Sequence, residues 1–220
     1  MRVNPSAAIE DLQIRERLAP FGIAPTERQA QQIREYARLL LFWNRSINLT
    51  AVTDPAEIVE RHFGESMYGA NLLPVENCRL ADVGSGAGFP GLAMRIACTS
   101  IQLTLIESNK KKCAFLSEVV RSLELRGVEI VPERFENVRP DEIEADIVTS
   151  RAVGSLKELL RWSGAALATR GHVMLWVGAD DSARTARTKG WFWQPPQRIP
   201  GSMGRFILRG RRFQQSIEGG

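Results

Sequence analysis

Residues 79–91 read RLADVGSGAGFPG. A short apolar run ends at Asp82-Val83 and passes straight through Gly84, Gly86, Gly88 and Gly91. So little side chain after a strand predicts a sharp strand-to-helix turn. Its backbone must either adopt positive φ or lie against something that a Cβ would block. In an open parallel sheet, ligands bind outside the carboxyl ends of the strands, where such a turn offers main-chain amides and a helix N-terminus.

The ligand is narrowed by two departures from the dinucleotide fingerprint. G-x-G-x-x-G requires its third glycine three places after the second, and that slot holds Phe89. Asp82 precedes the turn, where it would repel a diphosphate and attract a cationic, amino-acid-bearing ligand. Both features favour S-adenosylmethionine, with Asp82, Gly84, Ser85, Gly86, Gly88 and Phe89 as candidate contacts. The next apolar run ends in Glu107-Ser108, 23 residues after Gly84, where an acid is expected to accept hydrogen bonds from ribose hydroxyls. After the third run, ERFENV places Phe135 and Glu136 where an aromatic face and an acid could meet an adenine.

Outward from the turn, the pattern divides the chain. Residues 1–75 read as a helical cap: Thr26 with Gln29 forms a capping box ahead of an apolar stripe of Ile33, Tyr36, Ala37, Leu40 and Leu41. Asp54 with Pro55 opens a further helix. From 76 to 220 the runs RLADVG, IQLTLIE, VEIVPE, ADIVTS and GHVMLWVG are short and continuously apolar, as parallel strands buried on both faces are. WFWQPPQ and RFILRGRR add an antiparallel pair at one edge. The expected fold is α/β, a doubly wound, mostly parallel Rossmann-like sheet of the class I S-adenosylmethionine-dependent methyltransferase type, carrying an N-terminal helical cap as one compact unit.

Composition excludes several classes. The 220 residues contain no apolar run near the roughly 18 needed to span a bilayer, and the opening residues are too charged for a secretory signal. A cytoplasmic protein without a membrane partner is expected. Cys78, Cys98 and Cys113 show no metal-ligand spacing, so no metal and reduced thiols are expected. The net charge of +4 is uneven: residues 1–149 carry 17 Lys/Arg against 21 Asp/Glu, and residues 150–220 carry 12 against 4. Phosphate contact would require such a basic end.

The fourth strand exits through SRAVGSL, residues 150–156. No Asn-Pro-Pro-Tyr loop grips an exocyclic amine and no cysteine stands there to attack a pyrimidine, which weakens amine and carbon targets. A ring nitrogen with an in-plane lone pair, such as guanine N7, attacks a methyl sulfonium without prior loss of a proton, so positioning and desolvation suffice. Arg151 is the candidate of this loop, toward the cofactor carboxylate or guanine O6.

Together these segments resemble the ribosomal RNA small subunit methyltransferase G family, also called glucose-inhibited division protein B. The marks are WNRSINLTAVTD at 43–54, RHFGES at 61–66, DVGSGAGFPG at 82–91, ERFE at 133–136, SRA at 150–152 and IPGSMGRFIL at 199–208. The resemblance implies N7 methylation of a guanine in 16S ribosomal RNA, free or in the small ribosomal subunit, with S-adenosylmethionine held by Gly84, Phe89, Glu107, Phe135, Glu136 and Arg151. Asn48, His62 and Ser66 match positions near the substrate mouth, so Arg151, His62 and Asn48 are the catalytic candidates. A monomer is expected. Two departures stand out: Trp176-Val177-Gly178 where a lysine-glycine pair belongs, removing a cation that could face RNA, and Glu65 in place of aspartate. Lys110, Lys111 and Lys112 could compensate by touching phosphate, or be a solvated helix turn. Two other readings share the fold: a non-catalytic RNA-binding or assembly factor that keeps the pocket, and a nicotinamide-dependent oxidoreductase, for which His172 would have to relay protons.

Overall fold

A computed structural model describes residues 9–73, 77–151 and 154–213. The chain opens with α1 (Asp11–Leu18) and α2 (Glu27–Asn44). The expected capping box forms: Thr26 Oγ1 accepts from Gln29 N, and Gln29 Oε1 accepts from Thr26 N. The Gln29 amide also donates to the carbonyls of Ile96 and Ala97, so one residue both starts the helix and ties it to a later one. Asp54 caps α3 (Pro55–Ile58), which continues through a π-helical turn, Val59–Gly64, into α4 (Glu65–Ala70). The boundary expected at residue 75 falls on 74–76, outside the described residues.

The strands then alternate with helices: β1 (Arg79–Val83), α5 (Gly91–Ala97), β2 (Gln102–Ile106), α6 (Lys110–Ser122), β3 (Val128–Val131), β4 (Ala145–Arg151), α7 (Leu156–Ala166), β5 (Leu167–Gly178), α8 (Ala179–Thr185), β6 (Trp191–Trp193), β7 (Gln197–Arg198) and β8 (Arg205–Arg212). They form one sheet in the order β3-β2-β1-β4-β5-β8-β6, with β7 also on β8. The first five strands are parallel, and β8 runs antiparallel to β5, β6 and β7. β5 begins at Leu167, four residues before the expected Gly171, and its pairing with β4 shifts register between Ala145 and Ile147.

Successive strand residues point to opposite faces. Leu80, Leu103, Leu105, Ile147, Met174 and Trp176 pack with α1 to α6, whereas Ala81, Val83, Ile106, Val148, Val173 and Leu175 pack with α7. The N-terminal helices therefore share one core with a face of the sheet. β3 departs from the expectation of full burial, because it lies at the sheet edge and exposes Glu129. Strand order reverses between β1 and β4, and a crevice at their carboxyl ends is the place where such sheets receive ligands.

Candidate functional site

The turn after β1 is held almost wholly by main chain. Gly84, Gly86 and Gly88 all have positive φ, at 69°, 56° and 85°. The amides of Gly84 and Ser85 donate to the Ile106 carbonyl at 2.9 and 3.2 Å, which sews the turn to the end of β2. Glu107 completes it: Oε2 accepts from Gly86 N at 2.8 Å and Oε1 from Asn109 N at 2.8 Å. Each oxygen keeps a second lone pair, so both remain able to accept from a diol. A Cβ on Gly86 would meet nothing nearer than the Gly84 carbonyl at 3.8 Å, and Gly84 and Ser108 are exposed. Gly84, Gly86, Glu107 and Ser108 thus lie together where the carboxyl ends of β1 and β2 reach the surface.

Three residues of the turn point elsewhere than expected. Asp82 is fully buried: Oδ2 accepts from Gly91 N at 3.1 Å and Oδ1 from Thr149 Oγ1 at 3.0 Å. Its carboxyl anchors the start of α5 from beneath, and burial pushes it up to about 7. Direct attraction of a ligand by this carboxylate is therefore corrected to support of the turn. Ser85 is likewise enclosed, its hydroxyl donating to the Asp82 carbonyl at 2.8 Å. Phe89 is buried among aromatics, stacked on Tyr36 at 5.1 Å and on His62 at 4.9 Å, with Phe63 edge-on. Its ring joins the turn to α2 and the π-helical segment, so it shapes the site from behind. Gly88 is small for the same reason: a Cβ there would strike the Tyr36 hydroxyl, which donates to the Ala87 carbonyl.

Phe135 and Glu136 lie on a single turn, Phe135–Asn137, after β3. The Phe135 ring is half-buried, edge-on to Trp162 at 6.0 Å, and Glu136 is exposed. Exposed Lys110 and Lys111 open α6, capped by Asn109. Like charges at a helix N-terminus oppose its dipole.

At the exit of β4, Ser150 Oγ donates to the Val83 carbonyl at 2.8 Å, so this strand end sits beside the glycine turn. Arg151 donates through Nη1 to the Arg61 carbonyl at 3.2 Å, and its Nη2 stands 3.4 Å from Glu65 Oε2. Arg205 at the start of β8 places Nη2 2.7 Å from Glu65 Oε1. Glu65 is 1% exposed, and burial raises its pKa against the opposing pull of Arg151, Arg205 and Arg61. Trp176 donates from Nε1 to the Glu65 carbonyl at 3.0 Å, its ring filling the space that Gly69 leaves open. At 6% exposure Trp176 is an interior residue, so the expected loss of an RNA-facing cation at this position is corrected. The two departures from the family pattern touch each other. Ala152 of SRA lies outside the described residues.

His62 Nε2 is 2.7 Å from Thr50 Oγ1, and its Nδ1 is buried without a partner. Burial, then the charges of Arg151 and Arg61, lower its pKa to about 3, which keeps the ring neutral near pH 7. Asn48 is exposed in the loop after α2, and the residue that organises this loop is Asn44. Asn44 Oδ1 accepts from Leu49 N and Thr50 N at 2.9 and 3.0 Å, and Nδ2 donates to the Thr50 carbonyl at 2.9 Å. Ser66 is buried with an unpartnered hydroxyl. His172 pairs with Ile147 toward the opposite end of the sheet, too far along β5 to relay protons at the turn.

A family model, that of rRNA small subunit methyltransferase G, matches residues 29–191. The chain belongs to this family. Relatives named ribosomal RNA small subunit methyltransferase G are 42% identical over 145 residues in Roseiflexus castenholzii and 35% identical over 174 residues in Chloroflexus aggregans. The first alignment covers 64% of this chain and 62% of the relative, the second 78% and 73%. The fold matches that of a SAM-dependent methyltransferase from Aquifex aeolicus, with a TM-score of 0.59 at 13% identity over 71% of this chain and 93% of that one. Among the described residues no helix is long and apolar enough to cross a membrane, and no group of acids, histidines and cysteines could hold a metal ion.

Proposed function

We propose that this protein transfers a methyl group from S-adenosylmethionine to N7 of a guanine in 16S ribosomal RNA. The observation that carries the reading is the convergence of the Gly84–Gly86 backbone and the Glu107 carboxylate at the carboxyl ends of β1 and β2, beside the switch point, in a chain of this family. The residues fit the cofactor: each Glu107 oxygen keeps one lone pair beyond its main-chain partner to accept a ribose hydroxyl, Gly86 leaves room for close approach, and Phe135 and Glu136 offer an aromatic face and an acid for adenine. When bound, S-adenosylmethionine would supply a methyl sulfonium as the methyl donor, with a neutral thioether as its leaving group.

The chain's own part is placement. Arg151 holds an oxyanion of cofactor or substrate at the β4 exit. Neutral His62 backs the turn through Phe89 and takes no proton, since N7 has none to lose. Lys110, Lys111 and the basic C-terminal third attract RNA phosphate. Lys157, Arg161, Lys189 and Arg212 ring a hollow of about 900 Å³ between α7, α8 and β5. On this reading the protein works in the cytoplasm as a monomer, without a metal, on 16S ribosomal RNA or the small ribosomal subunit.

The test is transfer of labelled methyl from S-adenosylmethionine to small-subunit RNA or subunits lacking this modification, followed by nucleoside analysis. Labelled 7-methylguanosine is the expected product. Cofactor binding without transfer would overturn the reading in favour of a non-catalytic RNA-binding factor.

A further inference from the structure

Glu65 is the convergence point of segments far apart in sequence. Its carboxylate lies 2.7 Å from Arg205 and 3.4 Å from Arg151, its carbonyl accepts from Trp176, and Arg151 in turn donates to the carbonyl of Arg61. Neither carboxylate oxygen has an aligned hydrogen bond, so these are charge contacts. One buried carboxylate between two guanidinium groups leaves one positive charge unmatched. The Arg151 side chain, 22% exposed, still reaches solvent at the switch-point crevice, and only one of its five N–H donors is taken by the Arg61 carbonyl.

We propose that Glu65 is a positioning residue for methyl transfer, whose shared carboxylate fixes Arg151 at the β4 exit with charge left over for one oxyanion of the bound ligands. The proposal rests on reading Arg151 as a ligand contact. A carboxylate bound to Arg151 alone would neutralise it; Arg205, as the nearer partner, draws the Glu65 charge away and leaves Arg151 competent. The oxyanion is either the cofactor carboxylate or an RNA phosphate, both of which a guanidinium edge can grip.

The test is a double-mutant cycle on kcat/KM, with KM for S-adenosylmethionine and for RNA determined separately and well below each variant's melting temperature. Glu65→Gln should lower kcat/KM about 30-fold, and Glu65→Asp should recover to within about threefold. In an Arg151→Met background, Glu65→Gln should change kcat/KM by less than about twofold, because its effect runs through Arg151. A purely structural Glu65 would lower the melting temperature and act equally in both backgrounds, and that result overturns the proposal.

If Glu65→Gln does not fold, Arg205→Met, at the more exposed partner, serves the same cycle: about a fivefold loss alone and none beside Arg151→Met supports the proposal, and equal losses overturn it. A rise confined to KM for S-adenosylmethionine identifies the cofactor carboxylate, one confined to KM for RNA identifies a phosphate, and a rise in neither overturns the idea. Failure of the methyltransferase reading is separate, since it appears as no 7-methylguanosine from the unaltered protein. The same cycle is then read from dissociation constants of S-adenosylmethionine and RNA, where additivity overturns the proposal and non-additivity supports it.

Discussion

Two carboxylates stand at the carboxyl ends of the sheet and are held by opposite means. Glu107 receives two main-chain N–H groups, both at 2.8 Å, from residues on either side of the β1–β2 crevice. Glu65 receives guanidinium groups from β4 and β8, the longer contact at 3.4 Å, without aligned hydrogen bonds. Main-chain donors are short, fixed and available once the turn forms. Long cationic side chains tolerate a range of geometries and can exchange one anion for another. The turn is thus built to present a constant shape, and the β4 exit to respond to charge.

The strongest way to break this comparison is from below the turn. Asp82→Ala strands the Gly91 amide in a dry interior and leaves the Thr149 hydroxyl only the Ala81 carbonyl at 3.5 Å, and should cost about 3 kcal/mol of stability in urea denaturation. A loss under 1 kcal/mol would mean that the glycines alone hold the turn. Glu107→Gln keeps one acceptor, loses the charge and turns an amide NH2 against one of the two main-chain N–H groups, so calorimetry should show S-adenosylmethionine affinity reduced more than about tenfold, with a lowered melting temperature beside it.

His62 sits between the two regions and sharpens the contrast through pH. Its pKa is about 3 in the native protein and ordinarily 6.5, so below pH 6.5 the unfolded chain binds a proton that the folded chain refuses. This contribution to stability is complete above pH 6.5 and falls away toward pH 3, by up to about 1.4 kcal/mol per pH unit. Asp82, raised to about 7, tilts the other way, losing its contribution as pH rises from 3.8 through 7. Between pH 5 and pH 6 the two contributions nearly cancel, so His62→Gln, which leaves that of Asp82 alone, should make the protein about 1 kcal/mol less stable at pH 6 than at pH 5, as urea midpoints at the two values will report. The smallest effect belongs to the β4 exit: Trp176→Phe removes one donor to the Glu65 carbonyl and should cost about 1 kcal/mol in thermal melting.

The two regions also differ in how far they could be read from residues alone. The glycine turn is local, so its spacing announces a strand, a bend and a helix, and Glu107 follows at the end of the next strand. What spacing leaves out is direction. Asp82 lies beside the crevice in sequence, yet strand alternation puts it on the face of Leu80, under α5. Counting by twos from Leu80 would have revealed this. Phe89 likewise stands among ligand candidates in sequence, whereas Tyr36, His62 and Phe63 claim its ring. The cluster at Glu65 had no local sign. It joins residues 61, 65, 151, 176 and 205, and the only hint was that two unusual residues, Glu65 and Trp176, occur in one chain.

The hydroxyl of Tyr36 that reaches the Ala87 carbonyl has a meaning for how the protein is made. Helix α2 leaves the ribosome well before the turn it packs against, and only α1 has by then been made to cover part of its apolar stripe. The Tyr36 hydroxyl finds its carbonyl only when the turn has emerged, about fifty residues later. During translation the nascent chain therefore carries a sticky amphipathic segment in need of shelter, and the last step of its burial is the same event that gives the crevice its shape.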